Sequence, residues 1–284
     1  MKIAAPAKIN LGLQILNRRE DGYHSLITVM QQIGLKDIIL LKKQPSGIKL
    51  RCYGLDIDKE SNLAYQAALM LGEKANFSPG VSIALYKNIP PGAGLAGGSS
   101  DAAAVLKGLN CLWDLGWDYL ALEKMAEDLG ADVPYCVRGG TVLAEGVGEK
   151  LSSLPSLPFW GVVLAKPPDL AVETSLAYKN FSRKRAEKGE INFRTLIKAL
   201  ENQSKREIEG WLKEESINHL GDVVQEMYPE VRELKNEFEA LGLVPLVSGS
   251  GPTVFSLVRE MKEAWEAAAF LERKGYLAWA SWTE

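Results

Sequence analysis

Apolar and polar positions alternate in steps of two at the start of the chain. This predicts extended backbone over 3–16, with Ile9 and Leu11 on one face and Lys8 and Asn10 on the other. Taken alone, the second face reads as a solvent-facing strand edge. Asp21-Gly22 is a turn signal, and further strands are predicted over 26–34, 37–42 and 48–52. The period then lengthens: Leu63, Ala67, Leu69 and Met70 predict a helix over 62–74. A strand at 81–89 runs into a glycine-rich stretch, followed by helices from about 99 to 114 and over 119–129, the second ended by Gly130. A short strand is expected at 141–144. Residues 151–158 hold three serines and two prolines, the best boundary signal, dividing the chain into 1–154 and 155–284. Beyond it come a strand at 159–165 and helices over 172–180, 194–200, 205–213 and 218–241. The charged segment 182–190 reads as a solvated loop. The chain closes with a strand at 244–248, a second glycine turn, a strand at 253–258, a helix at 260–274 and a strand at 276–281. Both halves are α+β.

Composition narrows the function. A chain of 284 residues fits one large or two ordinary domains, and 46% hydrophobic residues supply a sizeable core. The net charge of −3 argues against a general nucleic-acid or membrane-surface binder. The longest apolar run, 159–165, is far too short to span a bilayer, and Lys8 and Asn10 interrupt any secretory leader. Cys52, Cys111 and Cys136 are odd in number and far apart, so no disulfide framework is expected and each reads as a small buried residue. With only His24 and His219 as histidines, a zinc site is not expected. The chain is expected in the cytoplasm, without nucleic-acid or membrane partners, as a monomer or homodimer.

The run Pro90-Pro91-Gly92-Ala93-Gly94-Leu95-Ala96-Gly97-Gly98-Ser99-Ser100-Asp101 carries the strongest chemical signal. Glycines leave backbone N–H groups unshielded, and a helix beginning after them adds its own unpaired N–H groups and the positive end of its dipole. Together they predict an anion cradle, most simply for phosphate. No lysine follows the glycines until Lys107, so the Walker pattern is excluded. GxGxxG can be traced from Gly92, but about 90 residues in and after strands that are not βαβ it does not make a Rossmann unit. The turn Ser248-Gly249-Ser250-Gly251-Pro252 is a second potential nest of N–H donors, or a plain hairpin. Asp132, in Gly-Ala-Asp-Val-Pro, reads first as a helix cap; beside a phosphate site it can instead act as a base toward a hydroxyl. Tyr23 and His24 lie in a loop and say little by themselves.

The lysine strand, the PPGAGLAGGSSDAAA loop and the late SGSGP turn, in this order, resemble the GHMP kinase superfamily. The segments PAKINLGLQILNRREDGYHSL, ADVPYCVRGGTVLAEGVGE and SGSGPTVFSLV extend the likeness over essentially the whole chain. They narrow it to the branch that acts on 4-(cytidine 5′-diphospho)-2-C-methyl-D-erythritol. The resemblance implies two α+β domains, the N-terminal one similar to ribosomal protein S5 domain 2 and the C-terminal one ferredoxin-like, with the site in the cleft between them. It implies transfer of the γ-phosphate of ATP to the substrate's 2-hydroxyl, in the non-mevalonate route to isoprenoid precursors, with Mg²⁺ whose ligands stay unassigned.

Carried over by position, Asp132 and Lys8 are the implied catalytic pair, the lysine keeping the carboxylate ionised. Asn10, Tyr23, His24, Thr174 and Tyr178 are the implied substrate-binding residues. Asn62, Leu63, Lys87, Pro90, Gly92, Gly94, Leu95, Ala96, Gly97, Gly98, Ser99 and Ser100 are the implied ATP-binding set. Asp101 is expected to turn away from the phosphates or toward magnesium. Two rivals stay open: another GHMP kinase acting on homoserine, mevalonate or a sugar, and a non-catalytic nucleotide-binding regulator. The DGYHSL turn disfavours the first, because those alcohols carry no base to hold.

Overall fold

A computed structural model describes residues 1–76, 80–181 and 191–284; the segment expected as a solvated loop, 182–190, lies outside them. In chain order the strands are β1 (Lys2–Arg18), β2 (His24–Gln44), β3 (Ile48–Tyr53), β4 (Gly80–Tyr86), β5 (Thr141–Gly146), β6 (Lys150–Ser153), β7 (Gly161–Lys166), β8 (Leu246–Val247), β9 (Val254–Val258) and β10 (Leu277–Trp282). The helices are α1 (Leu63–Lys74), α2 (Gly97–Leu112), α3 (Tyr119–Ala126), α4 (Val133–Arg138), α5 (Thr174–Asn180), α6 (Phe193–Glu201), α7 (Lys205–Glu214), α8 (His219–Met227), α9 (Pro229–Ala240) and α10 (Met261–Arg273). The chain is α+β. It forms two compact units, each built from separate stretches: Met1–Ala7, Leu35–Pro91 and Ala96–Gly139 in the first, and Lys8–Gly34, Gly92–Leu95 and Gly140–Glu284 in the second. No helix among the described residues is long and apolar enough to cross a membrane.

In the first unit, the later part of β2 pairs antiparallel with β4, and β3 runs parallel on the other side of β4. Ile39, Leu41, Val81, Ile83 and Leu85 are buried from this sheet. Helix α1 packs on α2, and α2 on α4. The buried face of α1 is Ala64, Ala67, Ala68 and Leu71, whereas Leu69, part of the predicted face, is exposed. Small side chains let the two helices approach, which a search for large apolar residues overlooks. Gly108 serves the same closeness: a Cβ there would lie 2.6 Å from Leu41 Cδ1.

In the second unit, the first part of β2 pairs antiparallel with β5, and β5 with β6. Strand β6 occupies part of the serine- and proline-rich stretch. A separate antiparallel sheet has the order β10-β7-β9-β8. With helices between β7 and β8 and between β9 and β10, this is the 4-1-3-2 order of a split βαβ, hence ferredoxin-like. Its core gathers Val163, Ala165, Leu220, Val224, Leu234, Phe238, Val254 and Leu271.

Several boundaries differ from expectation for physical reasons. Strand β2 does not break near Gly34; that glycine leaves room for the ring of Trp282, which a Cβ would strike. The single helix expected over 218–241 is two, because Pro229 at the first position of α9 cannot continue α8. Helix α2 begins at Gly97, so Gly97 and Gly98 form its first turn rather than the loop before it. Among the cysteines, Cys136 is buried and Cys52 half-buried, but Cys111 is exposed at the end of α2.

Candidate active site

The second unit brings the two glycine-rich turns together. Residues 248–253 close the β8–β9 hairpin, and the Ser248 N–H donates to the Thr253 carbonyl. This hairpin presses directly on residues 92–95. The Ser248 hydroxyl donates to the Gly94 carbonyl at 2.9 Å. A Cβ on Gly94 would meet the Ser248 carbonyl oxygen, and one on Gly251 would meet the backbone of Ala93 and Gly94. Gly94 also needs φ near 76°, a region that favours glycine. The glycines therefore permit two main chains to touch.

Asn218, which the sequence left unremarked, holds the hairpin from behind. Its amide donates to the carbonyls of Val247 and Gly249, both at 2.8 Å. Its oxygen accepts the N–H groups of Leu220 and Gly221, capping α8. The cap was legible as an Asn before an apolar run; the two loop carbonyls were not.

Lys8 and Asn10 face this hairpin. They are 5% and 3% exposed, so the solvent-edge reading fails. The cover comes from distant stretches of chain: the hairpin at Gly249 stands against both, and farther along the same face a Cβ on Gly12 would lie 3.0 Å from the Trp211 ring of α7 and 3.4 Å from Phe193 of α6. Lys8 Nζ donates to Asn10 Oδ1 at 2.7 Å, Asn10 Nδ2 to Thr28 Oγ1 at 2.9 Å, and Thr28 to the Gly12 carbonyl at 2.6 Å. A Cβ on Gly249 would be 3.4 Å from the Lys8 ammonium.

The residues expected at the base pocket fall in the same unit. The His24 ring stacks on Tyr178 (centroids 5.4 Å apart) and meets the edge of Phe181 at 6.1 Å. Phe181, missed by sequence, stacks in turn on buried His219. Burial, and then the charge of Arg18, lower the His24 pKa below its ordinary value, favouring the neutral ring at pH 7. Tyr23 is 67% exposed, its N–H donating to Asp21. Thr174 shares a 2.7 Å hydrogen bond with Ser250 of the hairpin.

The first unit holds the helix start and the carboxylates. Ala96 precedes α2 with φ 55° and ψ 32°, a left-handed conformation for a non-glycine residue. The Ser100 N–H bonds to the Ala96 carbonyl and its hydroxyl to the Pro6 carbonyl, leaving the N–H groups of Gly97, Gly98 and Ser99 as the helix's opening donors. Asn62 caps α1 through the Ala64 N–H, and Leu63 Cδ1 would lie 3.6 Å from a Cβ on Gly98. Lys87 donates to Asp37 and Asp101, so Asp101 turns to a lysine.

Asp132 begins α4 but makes no side-chain cap hydrogen bond, so capping is not what its carboxylate does. Helix α4 is pinned at its other end. Lys107 donates to the carbonyls of Cys136 and Val137, and Arg138 pairs with Glu123. Among the described residues no three His, Cys, Asp or Glu side chains gather as a metal site. A divalent ion carried on nucleotide phosphates needs few protein ligands.

Comparison with known proteins places this architecture. Residues 62–140 match the family model for the GHMP kinases N-terminal domain, and 196–277 the GHMP kinases C-terminal model. The chain is 40% identical over 270 residues to the 4-diphosphocytidyl-2-C-methyl-D-erythritol kinase of Acetivibrio thermocellus, covering 93% of this chain and 92% of that one. It is 42% identical over 267 residues to that of Clostridium beijerinckii, covering 93% of each. A crystal structure of 4-(cytidine 5′-diphospho)-2C-methyl-D-erythritol kinase superposes with a TM-score of 0.86 at 37% identity, over 100% of this chain and 99% of that one. Homoserine kinase from Cytophaga hutchinsonii, 18% identical over 100% of this chain and 94% of that one, shares the fold with a TM-score of 0.74.

Proposed function

We propose a reaction on the premise that this chain belongs to the 4-diphosphocytidyl-2-C-methyl-D-erythritol kinase family, within the GHMP kinases. It is an ATP-dependent small-molecule kinase that moves the γ-phosphate of ATP to the 2-hydroxyl of 4-(cytidine 5′-diphospho)-2-C-methyl-D-erythritol, leaving ADP. The observation that carries this reading is the pair of glycine turns locked main chain to main chain beside the buried Lys8 ammonium. Glycine turns of this kind beside an ammonium suit a phosphate group.

The roles follow from chemistry. The N–H groups opening α2 take the phosphates at the positive end of the helix dipole, with Ser99 and Ser100 beside them. Asn62, Leu63 and Lys87 are assigned to the adenine side. Lys8, held by the Asn10–Thr28 chain, neutralises charge on the transferring phosphoryl group. Asp132 accepts the 2-hydroxyl proton as the new O–P bond forms. The bond from the γ-phosphorus to the bridging oxygen breaks, ADP leaves with that electron pair, and Asp132 returns its proton to solvent. Magnesium enters as part of the MgATP substrate. Neutral His24 offers one donor and one acceptor to a cytosine edge, with Tyr23 and Tyr178 supplying ring faces and Asn10 and Thr174 reaching the alcohol. We assign the chain to the cytoplasm and read 1–154 and 155–284 as its two family domains, one matched model falling in each.

Asp132→Asn should lower kcat by about 10² or more, with substrate KM changed only modestly. Near-normal turnover would remove the base assignment. The same assay run on a panel of alcohols, following ADP release, tests the substrate; activity on homoserine, mevalonate or a sugar alone would overturn it.

A further inference from the structure

A buried trio of charges in the first unit joins Lys87 to two carboxylates, Asp37 and Asp101, that the chemistry above leaves without a role. Lys87 Nζ donates to Asp37 and, at 2.5 Å, to Asp101, with side chains 7%, 0% and 3% exposed. The trio joins three stretches: Asp37 lies on β2, Lys87 follows β4, and Asp101 stands in the second turn of α2. Asp37 also accepts the N–H groups of Asn88 and Ile89, at 2.5 and 2.8 Å, in the chain leading to the glycine loop. There is no slack at the helix start, since a Cβ on Gly97 would lie 3.0 Å from Ile89 Cγ2 and 3.4 Å from Lys87 Nζ. The formal charges leave one carboxylate in excess, and Asp101 Oδ1 is buried without a hydrogen-bond partner among the described residues. Buried ion clusters contribute little net stability, because desolvation offsets the pairing. What this one supplies is geometry.

We propose that Asp37, Lys87 and Asp101 are positioning residues, a clamp that fixes the start of α2 against the chain entering the glycine loop and so aims the N–H groups of Gly97, Gly98 and Ser99 at the nucleotide phosphates. The proposal rests on the phosphate-loop reading above. The clamp also carries a proton. Burial, opposed by Lys87 and reinforced by Asp37, pushes Asp101 up to about 7. Lys87 stays an ammonium because the two carboxylates outweigh its burial. Cys52 on β3 senses all three charges, and burial raises its thiol pKa, so it stays neutral. Below pH 7 the trio is neutral. Above it, the trio holds one net negative charge behind a helix start that must bind an anion.

The test is MgADP binding and steady-state kinetics on the full chain from pH 6 to 8.5. In the wild type, the MgADP Kd and the ATP KM should rise about fivefold across this range. In Asp101→Asn, permanently neutral and nearly isosteric, that rise should vanish, while ionisation of the nucleotide itself is common to both proteins. Asp37→Ala should raise the ATP KM about tenfold or more with the KM of the alcohol within about twofold, and Asp37→Asn, which keeps an acceptor for Asn88 and Ile89, should restore most of the loss. A wild-type slope in Asp101→Asn, or unchanged MgADP affinity in Asp37→Ala, would overturn the clamp. Wild-type protein that binds no MgADP would instead bring down the phosphate-loop reading, and the clamp with it.

Discussion

Asn218 satisfies two backbone donors and two backbone acceptors with one side chain, and only an amide can do both. Asn218→Ala should cost about 2–4 kcal/mol, combining a lost helix cap with two unpaired carbonyls. Asn218→Asp keeps the cap oxygen but turns an acceptor toward the carbonyls of Val247 and Gly249, so it should be no more stable than the alanine variant. Urea unfolding of both separates this from a simple capping role, under which aspartate would be silent. At the same scale the sequence was half legible. The types and spacing of Lys8, Asn10, His24 and Asp132 were visible. The burial of Lys8 and Asn10 was not, because the hairpin at Gly249 that stands against them, and α6 and α7, which cover the same strand face at Gly12, lie far along the chain. Ala96 was illegible for another reason: nothing in an alanine announces a left-handed backbone, which costs roughly 1–2 kcal/mol outside glycine.

Elements were legible where their period was undisturbed by distant partners. The C-terminal strand, glycine turn, strand, helix and strand were all predicted from local pattern. Errors arose where a residue's role lay across the fold. Gly34 suggested an interruption but makes room for Trp282. The glycines at 97 and 98 suggested loop but open a helix. The two glycine turns were each visible, yet their mutual contact was not, since no local pattern encodes an approach between residues 94 and 248. That contact predicts a specific failure. Gly251→Ala leaves the residue's own backbone conformation attainable but drives a methyl group into the main chain at Ala93 and Gly94. It should destabilise the protein by about 1–3 kcal/mol and raise the ATP KM more than the KM of the alcohol. Thermal unfolding with kinetics on each substrate checks both.

For the whole molecule, the raised Asp101 pKa sets a pH dependence of stability. The folded state binds this proton more tightly than the unfolded chain, so the stability it confers is fully present below about pH 4 and is lost as pH rises toward 7. Asp101→Asn removes that loss. The variant should gain on the wild type by an amount on the order of a few kcal/mol between pH 5 and 8, read as the difference between two urea titrations at each pH. A parallel pair of curves would show that Asp101 ionises normally.

The two compact units are not successive lengths of chain. The polypeptide passes from one to the other at 7/8, 34/35, 91/92, 95/96 and 139/140, and the glycine loop holds two of these passages. A ferredoxin-like sheet can be recognised in residues 161–282, but its unit also contains residues 8–34. For heredity this means that the gene has no clean seam: a recombination that exchanged everything after residue 154 would deliver a unit stripped of its own lysine strand, and the inherited first half would have to supply a fitting one. Lys8 and the hairpin it faces can be altered together only by coordinated change at opposite ends of the coding sequence.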